Sequence, residues 1–284
     1  MMDHPTFVVG DVHGHRDELA DALRDAGLLD EADRWSGADA SLWFLGDFVD
    51  RGPDGVAAID LVRSLQQQAP SSDGSVETLL GNHEILLLGT YFFGDTTLPA
   101  DAGAPAGRSF ARSWAVNGGQ VADQDALTRE HVEWLITRPV VALAADHLLL
   151  HSDTLEYLDW GDTVDEINAE VKRVLADDDI MHWWGVWRRM TTRFAFRGPE
   201  GAEAADALLA QLGGDRVVHG HSVIADQVGV HPVELDAPHL YAGGRVLGVD
   251  TGLFAGGPCL VTELPYEPGE PADDVGWDSV SSRD

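Results

Sequence analysis

Six side chains of types that commonly bind metals each follow a short apolar run of the sequence. They are Asp11, His13, Asp47, Asn82, His151 and His221. Asp11 and His13 lie two residues apart, a spacing that in extended backbone directs both side chains the same way. Carboxylates, imidazoles and an amide oxygen, with no thiolate, suit Mn, Fe or Zn better than a structural zinc site or a calcium site. The sequence therefore predicts a metal centre, in which Asp47 has two oxygens with which to bridge a pair of ions.

The segments that must position these side chains have the pattern of buried strands ending in polar loops. Runs rich in Val, Leu and Phe are each followed by Gly, Asp, Asn or His, and they lie at 7–9, 42–45, 76–80, 148–150 and 217–218. Apolar residues at helical spacing lie between several of these runs, at 16–26, 56–67 and 163–175. Alternating strands and helices predict an α/β architecture, in which ligands bind beyond the carboxyl ends of the strands.

The charge balance limits the classes of partner. The 284 residues include 49 acidic and 18 basic side chains, which gives a formal net charge of -31. Such a surface repels phosphate backbones and anionic membranes, so we expect neither bulk nucleic-acid binding nor membrane binding. No apolar run approaches the length of a membrane span, no signal peptide is visible, and the single Cys259 cannot form an intramolecular disulfide. A soluble cytoplasmic protein is expected, with its oligomeric state open.

We predict one catalytic domain over residues 1–264. A tail at 265–284 is dominated by Pro, Gly, Ser and acidic residues, a composition that predicts flexibility. Residues 94–107 are rich in Gly, Ala, Pro and Thr, a composition that is typical of a surface loop.

Three motifs give the chain a family resemblance. Gly-Asp-Val-His-Gly at 10–14, Gly-Asp-Phe-Val-Asp-Arg-Gly at 46–52 and Gly-Asn-His-Glu at 81–84 occur in that order. They resemble the calcineurin-like metallophosphoesterases, in particular the bacterial phosphoprotein (serine/threonine) phosphatase branch, over residues 6–264. The resemblance implies a sandwich of two mixed β-sheets flanked by helices.

The resemblance also implies roles for the metal-binding side chains. Two divalent ions are implied, with Mn expected first and Fe or Zn as alternatives. Asp11 and His13 would hold the first ion, Asp47 would bridge, and Asn82, His151 and His221 would hold the second. The neighbouring His219 is read as a supporting residue, because only His221 directly follows Gly220 as the usual ligand does.

Further roles concern the phosphate and the leaving group. By resemblance, His83 would protonate the leaving oxygen while Asp50 orients and charges it, and Arg51 would bind phosphate. A second phosphate-binding arginine is expected in the segment 185–190, where Arg189 is preferred to Arg188.

The predicted activity is hydrolysis of phosphomonoesters by a metal-bridging hydroxide, on a phosphorylated protein (Ser/Thr or Tyr) or a small phosphoester. Valine at 223, where the phosphodiesterase branch has a second histidine, favours monoesters. His151-Ser-Asp153 departs from the small residues usual after that histidine, so a differently shaped loop is expected. Two alternatives stay open: a diadenosine tetraphosphate-type pyrophosphohydrolase and a non-catalytic phosphate-binding scaffold.

Overall fold

Three parallel strands from the first eighty residues form most of the first sheet. The computed structural model describes residues 4–99 and 107–267, and within them this sheet has four strands in the order β3-β2-β1-β9. The strands are β1 (Thr6–Val9), β2 (Ser41–Phe44), β3 (Ser75–Thr78) and β9 (Val261–Leu264). The first three are parallel, whereas β9 runs antiparallel to β1.

A second mixed sheet is built from the middle of the chain. In the described ranges it has five strands in the order β4-β5-β6-β8-β7. They are β4 (Val141–Ala144), β5 (His147–Leu150), β6 (Arg216–His219), β7 (His239–Tyr241) and β8 (Val246–Gly248). The three central strands are parallel, and the antiparallel β4 and β7 form the edges.

Helices connect the strands and cover the sheets. In the described part of the chain they are α1 (Arg16–Asp25), α2 (Gly55–Gln68), α3 (Asn82–Phe93), α4 (Phe110–Val116), α5 (Val121–Ala126), α6 (Arg129–Leu135), α7 (Val164–Leu175), α8 (Ile180–Thr191), α9 (Gly201–Leu212) and α10 (Ile224–Val228). The predicted helices at 16–26, 56–67 and 163–175 correspond to α1, α2 and α7. Thr163 caps α7 by accepting a hydrogen bond from the Glu166 backbone N–H.

Strand side chains alternate between two apolar layers. Val8 and Leu149 belong to a cluster that joins the facing surfaces of the two sheets. Their neighbours Val9, Leu148 and Leu150 lie in the larger cluster that the helices share. This period of two residues buries both faces of each sheet. The predicted sandwich of two mixed sheets flanked by helices is confirmed.

The sandwich directs the polar loops to one end, where the parallel strands of both sheets finish. Among the described residues, none of the helices combines the length and apolar character needed to cross a membrane. Half of the predicted loop at 94–107, namely residues 100–106, and the predicted tail beyond residue 267 lie outside the described residues. The domain boundary at 264 therefore stays a prediction.

Candidate metal centre

The loops beyond the parallel strands bring the six predicted ligands together. Asp11 and His13 follow β1 and Asp47 follows β2, while Asn82 opens α3 just beyond β3. From the second sheet, His151 follows β5 and His221 follows β6. All six side chains are buried.

One group of potential ligand atoms lies on the first-sheet side. Ligand atoms of His13, Asp47 and His83 all lie within 4.8 Å of one another. Nε2 of His13 lies 3.7 Å from Oδ2 of Asp11 and 3.7 Å from Oδ2 of Asp47. Both His13 Nε2 and Asp47 Oδ2 are buried without a hydrogen-bond partner. Buried polar atoms are rarely left unpaired, so these two orphan atoms are suited to coordinate an ion.

A second group shares Asp47 with the first. Ligand atoms of Asp47, His151 and His221 also lie within 4.8 Å of one another. Nε2 of His151 lies 3.4 Å from Oδ1 of Asp47 and 2.9 Å from Oδ1 of Asn82. Asp47 thus presents one carboxylate oxygen to each group.

Hydrogen bonds from the opposite ring nitrogen orient two of the imidazoles. Nδ1 of His13 lies 2.9 Å from the carbonyl oxygen of Val49, and Nδ1 of His151 lies 2.8 Å from that of Leu45. A carbonyl oxygen only accepts, so each Nδ1 carries the proton and each Nε2 keeps a lone pair. That lone pair faces the carboxylates, as a metal ligand requires.

Burial sets the protonation of the centre. It lowers the pKa values of His13 and His221, and it lowers the pKa of His151 to about 3, so these imidazoles are neutral at pH 7. Burial also raises the pKa values of Asp11 and Asp47, because ionised carboxylates are costly in a dry site without cations. Neutral imidazoles beside electron-rich carboxylates fit a pair of divalent ions.

The backbone around Asp47 is held in an unusual conformation. Asp47 has a φ of 54°, in the left-handed region that non-glycine residues seldom adopt. The buried carboxylate of Glu84 accepts hydrogen bonds from the backbone N–H groups of Asp47, Phe48, Val49 and Gly81. Glycine is required at 81, because a Cβ there would collide with the Asp47 carboxylate. Glu84 therefore holds the loop that carries the shared ligand.

His83 is fixed between an acid and an arginine. Its Nδ1 lies 2.7 Å from Oδ2 of Asp50, whose Oδ1 accepts a 2.6 Å hydrogen bond from the indole N–H of Trp114. Nε2 of His83 lies 3.3 Å from Nη2 of Arg51. Burial, followed by the charge of Arg51, lowers the pKa of His83, and burial raises the pKa of Asp50 to about 7. The predicted pairing of His83 with Asp50 is present. We predicted that Asp50 would keep the imidazole protonated, but in the protein alone burial and the charge of Arg51 favour the neutral imidazole.

The two predicted phosphate arginines have different surroundings. Arg51 lies at the centre, with its guanidinium 4.0 Å from the centroid of the Phe254 ring. Arg189 points to another partner, because its Nε donates a 3.0 Å hydrogen bond to Asp159 and its Nη1 donates to the Gly185 carbonyl oxygen. The structure does not bring Arg189 into contact with the ligand groups, and Arg188 is exposed on the same helix.

Arg193 is the arginine that sequence reasoning missed. Its Nη2 lies 2.8 Å from Nε2 of His221, and its charge helps to lower the pKa values of His83 and His151. Arg193 lies just beyond the end of α8, so the signal that could have identified it is the position at which that helix ends.

Two other buried acids were also missed, although Glu84 occurs in a motif noted in the sequence. Asp250 is buried, its Oδ2 has no hydrogen-bond partner, and its charge raises the pKa of Asp11. Glu84 is the last residue of Gly-Asn-His-Glu, and its support of the Asp47 backbone is visible only in three dimensions. His219 bonds to Tyr241 and lies in neither ligand group, as expected for a supporting residue.

Comparisons with known proteins agree with this geometry. Residues 4–225 match the family model described as calcineurin-like phosphoesterase. The chain is 35% identical over 78 residues to Shewanella-like protein phosphatase 2 of Arabidopsis thaliana, covering 28% of this chain and 20% of that protein. It is 31% identical over 174 residues to the symmetrical bis(5'-nucleosyl)-tetraphosphatase of Edwardsiella ictaluri, covering 61% of this chain and 52% of that protein. The chain thus spans about half or less of the length of these two relatives.

Solved structures show the same fold. A cold-active protein tyrosine phosphatase of a psychrophilic Shewanella species superimposes with a TM-score of 0.67 at 19% identity, covering 92% of this chain and 75% of that one. A putative diadenosine tetraphosphatase gives a TM-score of 0.51 at 16% identity, covering 93% and 90%. Because the family model spans most of the described residues and the three motifs meet at one buried centre, the chain belongs to the calcineurin-like phosphoesterases, a family of metal-dependent hydrolases of phosphoric esters.

Proposed function

We propose that this protein hydrolyses phosphomonoesters with two divalent ions, and that its substrate is a phosphorylated protein side chain. The observation that carries the proposal is Asp47, whose two oxygens face two separate groups of buried ligand atoms. Asp11, His13 and Asp47 would hold one ion, and Asp47, Asn82, His151 and His221 the other. When bound, such ions supply a water nucleophile at neutral pH and positive charge for the phosphoryl oxygens.

Mn is our proposal for the native metal. The donors are carboxylates, imidazoles and one amide oxygen, a mixture between the all-oxygen sites of Mg or Ca and the thiolate-rich sites of structural zinc.

Arg51 and Arg193 would bind the phosphoryl oxygens. Among the described residues, neither guanidinium has a carboxylate within 4.0 Å, although acidic side chains outnumber basic ones by 49 to 18. Other arginines, such as Arg16 and Arg189, do form ion pairs. An unpaired guanidinium beside a metal centre is available to pair two donors with a phosphate.

His83 would donate a proton to the leaving oxygen. Its Nδ1 is fixed on Asp50, and its Nε2 faces Arg51, where a substrate phosphate would bind. A phosphate dianion there would offset the charge of Arg51, one of the causes that lower the pKa of His83. Phosphate binding would therefore favour the protonated imidazole at the moment when an acid is needed.

A second candidate is hydrolysis of a dinucleoside tetraphosphate. Similarity to the Edwardsiella enzyme over 61% of the chain favours it. Position 223, two residues after His221, is valine and not a second histidine, which supports the monoester reaction. Phosphoserine, phosphothreonine and phosphotyrosine peptides assayed beside diadenosine tetraphosphate would separate the two candidates.

The first experiment removes bound metal with a chelator and measures p-nitrophenyl phosphate hydrolysis as Mn is added back. Wild type and a control variant, Asp17→Asn at an 83% exposed carboxylate, should regain activity, whereas Asp47→Asn should not. The loss should be roughly 10³-fold, since a bridging ligand contributes several kcal/mol of transition-state stabilisation. Full activity of Asp47→Asn would contradict the shared-ligand proposal.

A further inference from the structure

Asp153 is a buried carboxylate that the proposed reaction does not use. It is 0% exposed and lies two residues after His151. Its Oδ2 accepts a 3.0 Å hydrogen bond from the backbone N–H of Phe194, and its Oδ1 accepts one from the hydroxyl of Ser222. Its backbone carbonyl oxygen accepts a third from the N–H of Ala195.

These three hydrogen bonds join three separate parts of the centre. Asp153 shares a loop with the ligand His151, and Ser222 directly follows the ligand His221. Phe194 directly follows Arg193, the arginine whose Nη2 lies 2.8 Å from His221. Asp153 therefore connects the loops of His151 and His221 with the turn that follows Arg193.

The backbone at Phe194 shows that this connection is under constraint. Phe194 has a φ of 77°, although a bulky side chain disfavours the left-handed region, and its ring is 47% exposed. The ring contacts the guanidinium of Arg197, 3.9 Å from the ring centroid, but it belongs to neither apolar cluster. The hydrogen bonds from Phe194 and Ala195 to Asp153 hold the chain in this turn immediately after Arg193, and such strain persists only where the surroundings enforce it.

Arg193 depends on this turn for its direction. The residue itself is exposed, and among the described residues no carboxylate holds its guanidinium. Nε2 of His221 also lies 3.2 Å from the carbonyl oxygen of Thr191. A carbonyl oxygen only accepts a hydrogen bond, and a guanidinium only donates one. When Nε2 of His221 carries a proton and donates it to Thr191, that nitrogen cannot also accept a hydrogen bond from Arg193. An anion bound at the centre would provide one.

We infer that Asp153 is a positioning residue that acts through Arg193 to place its guanidinium where the phosphoryl group binds. This inference rests on the proposed function.

The test is a double-mutant cycle on the Mn-loaded, full-length protein, with Asp153→Ala, Arg193→Ala and the two combined. Asp153→Ala should raise KM for p-nitrophenyl phosphate and weaken binding of inorganic phosphate by roughly 10- to 100-fold, since small misplacements of binding groups are costly. In the Arg193→Ala background, Asp153→Ala should have no further effect on either quantity. Mn affinity, measured by equilibrium dialysis, should change little.

Asp153→Asn is the matched conservative variant. Its amide oxygen can accept from Phe194 while its NH₂ group donates to the Ser222 hydroxyl, so it should restore KM and phosphate affinity to near wild type. If Asp153→Ala does not fold, Phe194→Gly replaces it in the test. Glycine can adopt the positive φ of Phe194 but also many other conformations, so the turn should be less fixed and phosphate binding should weaken.

Equal losses from Asp153→Ala with and without Arg193 would overturn the inference, and so would a loss of Mn affinity with phosphate binding intact. Calorimetry with inorganic phosphate keeps this test separate from the proposed function. Wild-type protein that binds phosphate but hydrolyses no monoester would refute the proposed function and leave the cycle interpretable.

Discussion

The two halves of the metal centre are supported by different kinds of hydrogen bond. On the first-sheet side, the Glu84 carboxylate accepts from four backbone N–H groups, three of which belong to the strand-end loop of Asp47. On the second-sheet side, Asp153 accepts from one backbone N–H and one hydroxyl through its side chain. Both supports join segments distant in sequence, but Glu84 joins two recognised motifs, whereas Asp153 reaches Phe194, which lies in none of the three motifs.

This difference predicts which half tolerates change. Backbone donors cannot reverse their role, so a support that meets only N–H groups requires a full carboxylate. A hydroxyl can donate or accept, so the Asp153 position accommodates an amide. Four experiments test whether the two halves differ in this way.

His83→Ala tests whether the first half supplies the acid. We expect hydrolysis of phenyl phosphate, a poor leaving group, to slow by roughly 10²- to 10⁴-fold, with a much smaller loss on p-nitrophenyl phosphate. Asp50→Asn keeps an acceptor for Nδ1 of His83 and should show an intermediate effect. Rates on both substrates provide the measurement, and equal slowing on the two would argue against an acid at His83.

Arg193→Ala tests whether the second half supplies phosphate binding. Loss of a donor aimed at the phosphoryl oxygens should lower kcat/KM by roughly 10²- to 10³-fold. Arg189→Ala is the matched control and should leave kcat/KM near wild type, because Arg189 pairs with Asp159. Steady-state kinetics on one phosphopeptide decides between them. The reverse result would return the role to Arg189, as the sequence predicted.

Glu84→Gln addresses the support of the first half. An amide would place a donor against backbone N–H groups, so the Asp47 loop should shift and Mn affinity should fall by roughly 10- to 100-fold. Asp153→Asn should keep its Mn affinity, because the new NH₂ group can donate to the hydroxyl of Ser222. Calorimetric titration of the metal-free proteins with Mn provides the comparison, and equal affinities for the two variants would show that the halves do not differ.

The smallest effect is a pH dependence of stability in the metal-free protein. Burial raises the pKa of Asp50 to about 7 and that of Glu84 to about 7 in the folded protein. Their stabilising contribution is complete below the unfolded pKa near 4 and is lost as pH rises to about 7, at about 1.4 kcal/mol per unit of pKa difference. Buried histidines with lowered pKa values act in the opposite direction below the unfolded histidine pKa of about 6.5, so the acid contribution is measured against a variant. Urea unfolding between pH 4.5 and 8 should show the stability of wild type decreasing relative to that of Asp50→Asn.

Two comparisons identify the source of that slope. Asp50→Asn should reduce it, because the amide does not titrate. Mn-loaded protein should show a shallower slope, because cations favour ionised carboxylates nearby. A wild-type stability that rises with pH relative to Asp50→Asn would contradict the raised pKa of Asp50.

The sequence was sufficient for much of the fold and for selecting the six side chains that the structure brings together. The runs at 7–9 and 148–150 became β1 and β5, and the six ligands converge because a strand end fixes the direction of the next side chains. Strand order and pairing could not be read from periodicity, since period-two burial does not specify a neighbour. The two-sheet sandwich was expected only from the family resemblance.

Arg193 shows why the second half was harder to predict. Its position depends on α8 ending at Thr191, on the left-handed turn at Phe194, and on a carboxylate some forty residues earlier in the chain. None of these has a local sequence signal. Arg189 occupies a motif-like segment, but helix geometry directs it toward Asp159.

The pairing of β9 with β1 has a consequence for how the protein is made. Thr6 pairs with Leu264, so the strand that carries Asp11 lacks one neighbour until nearly all of the described chain has left the ribosome. Chain segments emerge in order, and contacts between distant segments form late. Asp11 also accepts the backbone N–H of His221, another late-synthesised residue. Nascent chains should therefore stay inactive and bind metal poorly until β9 has emerged and paired with β1.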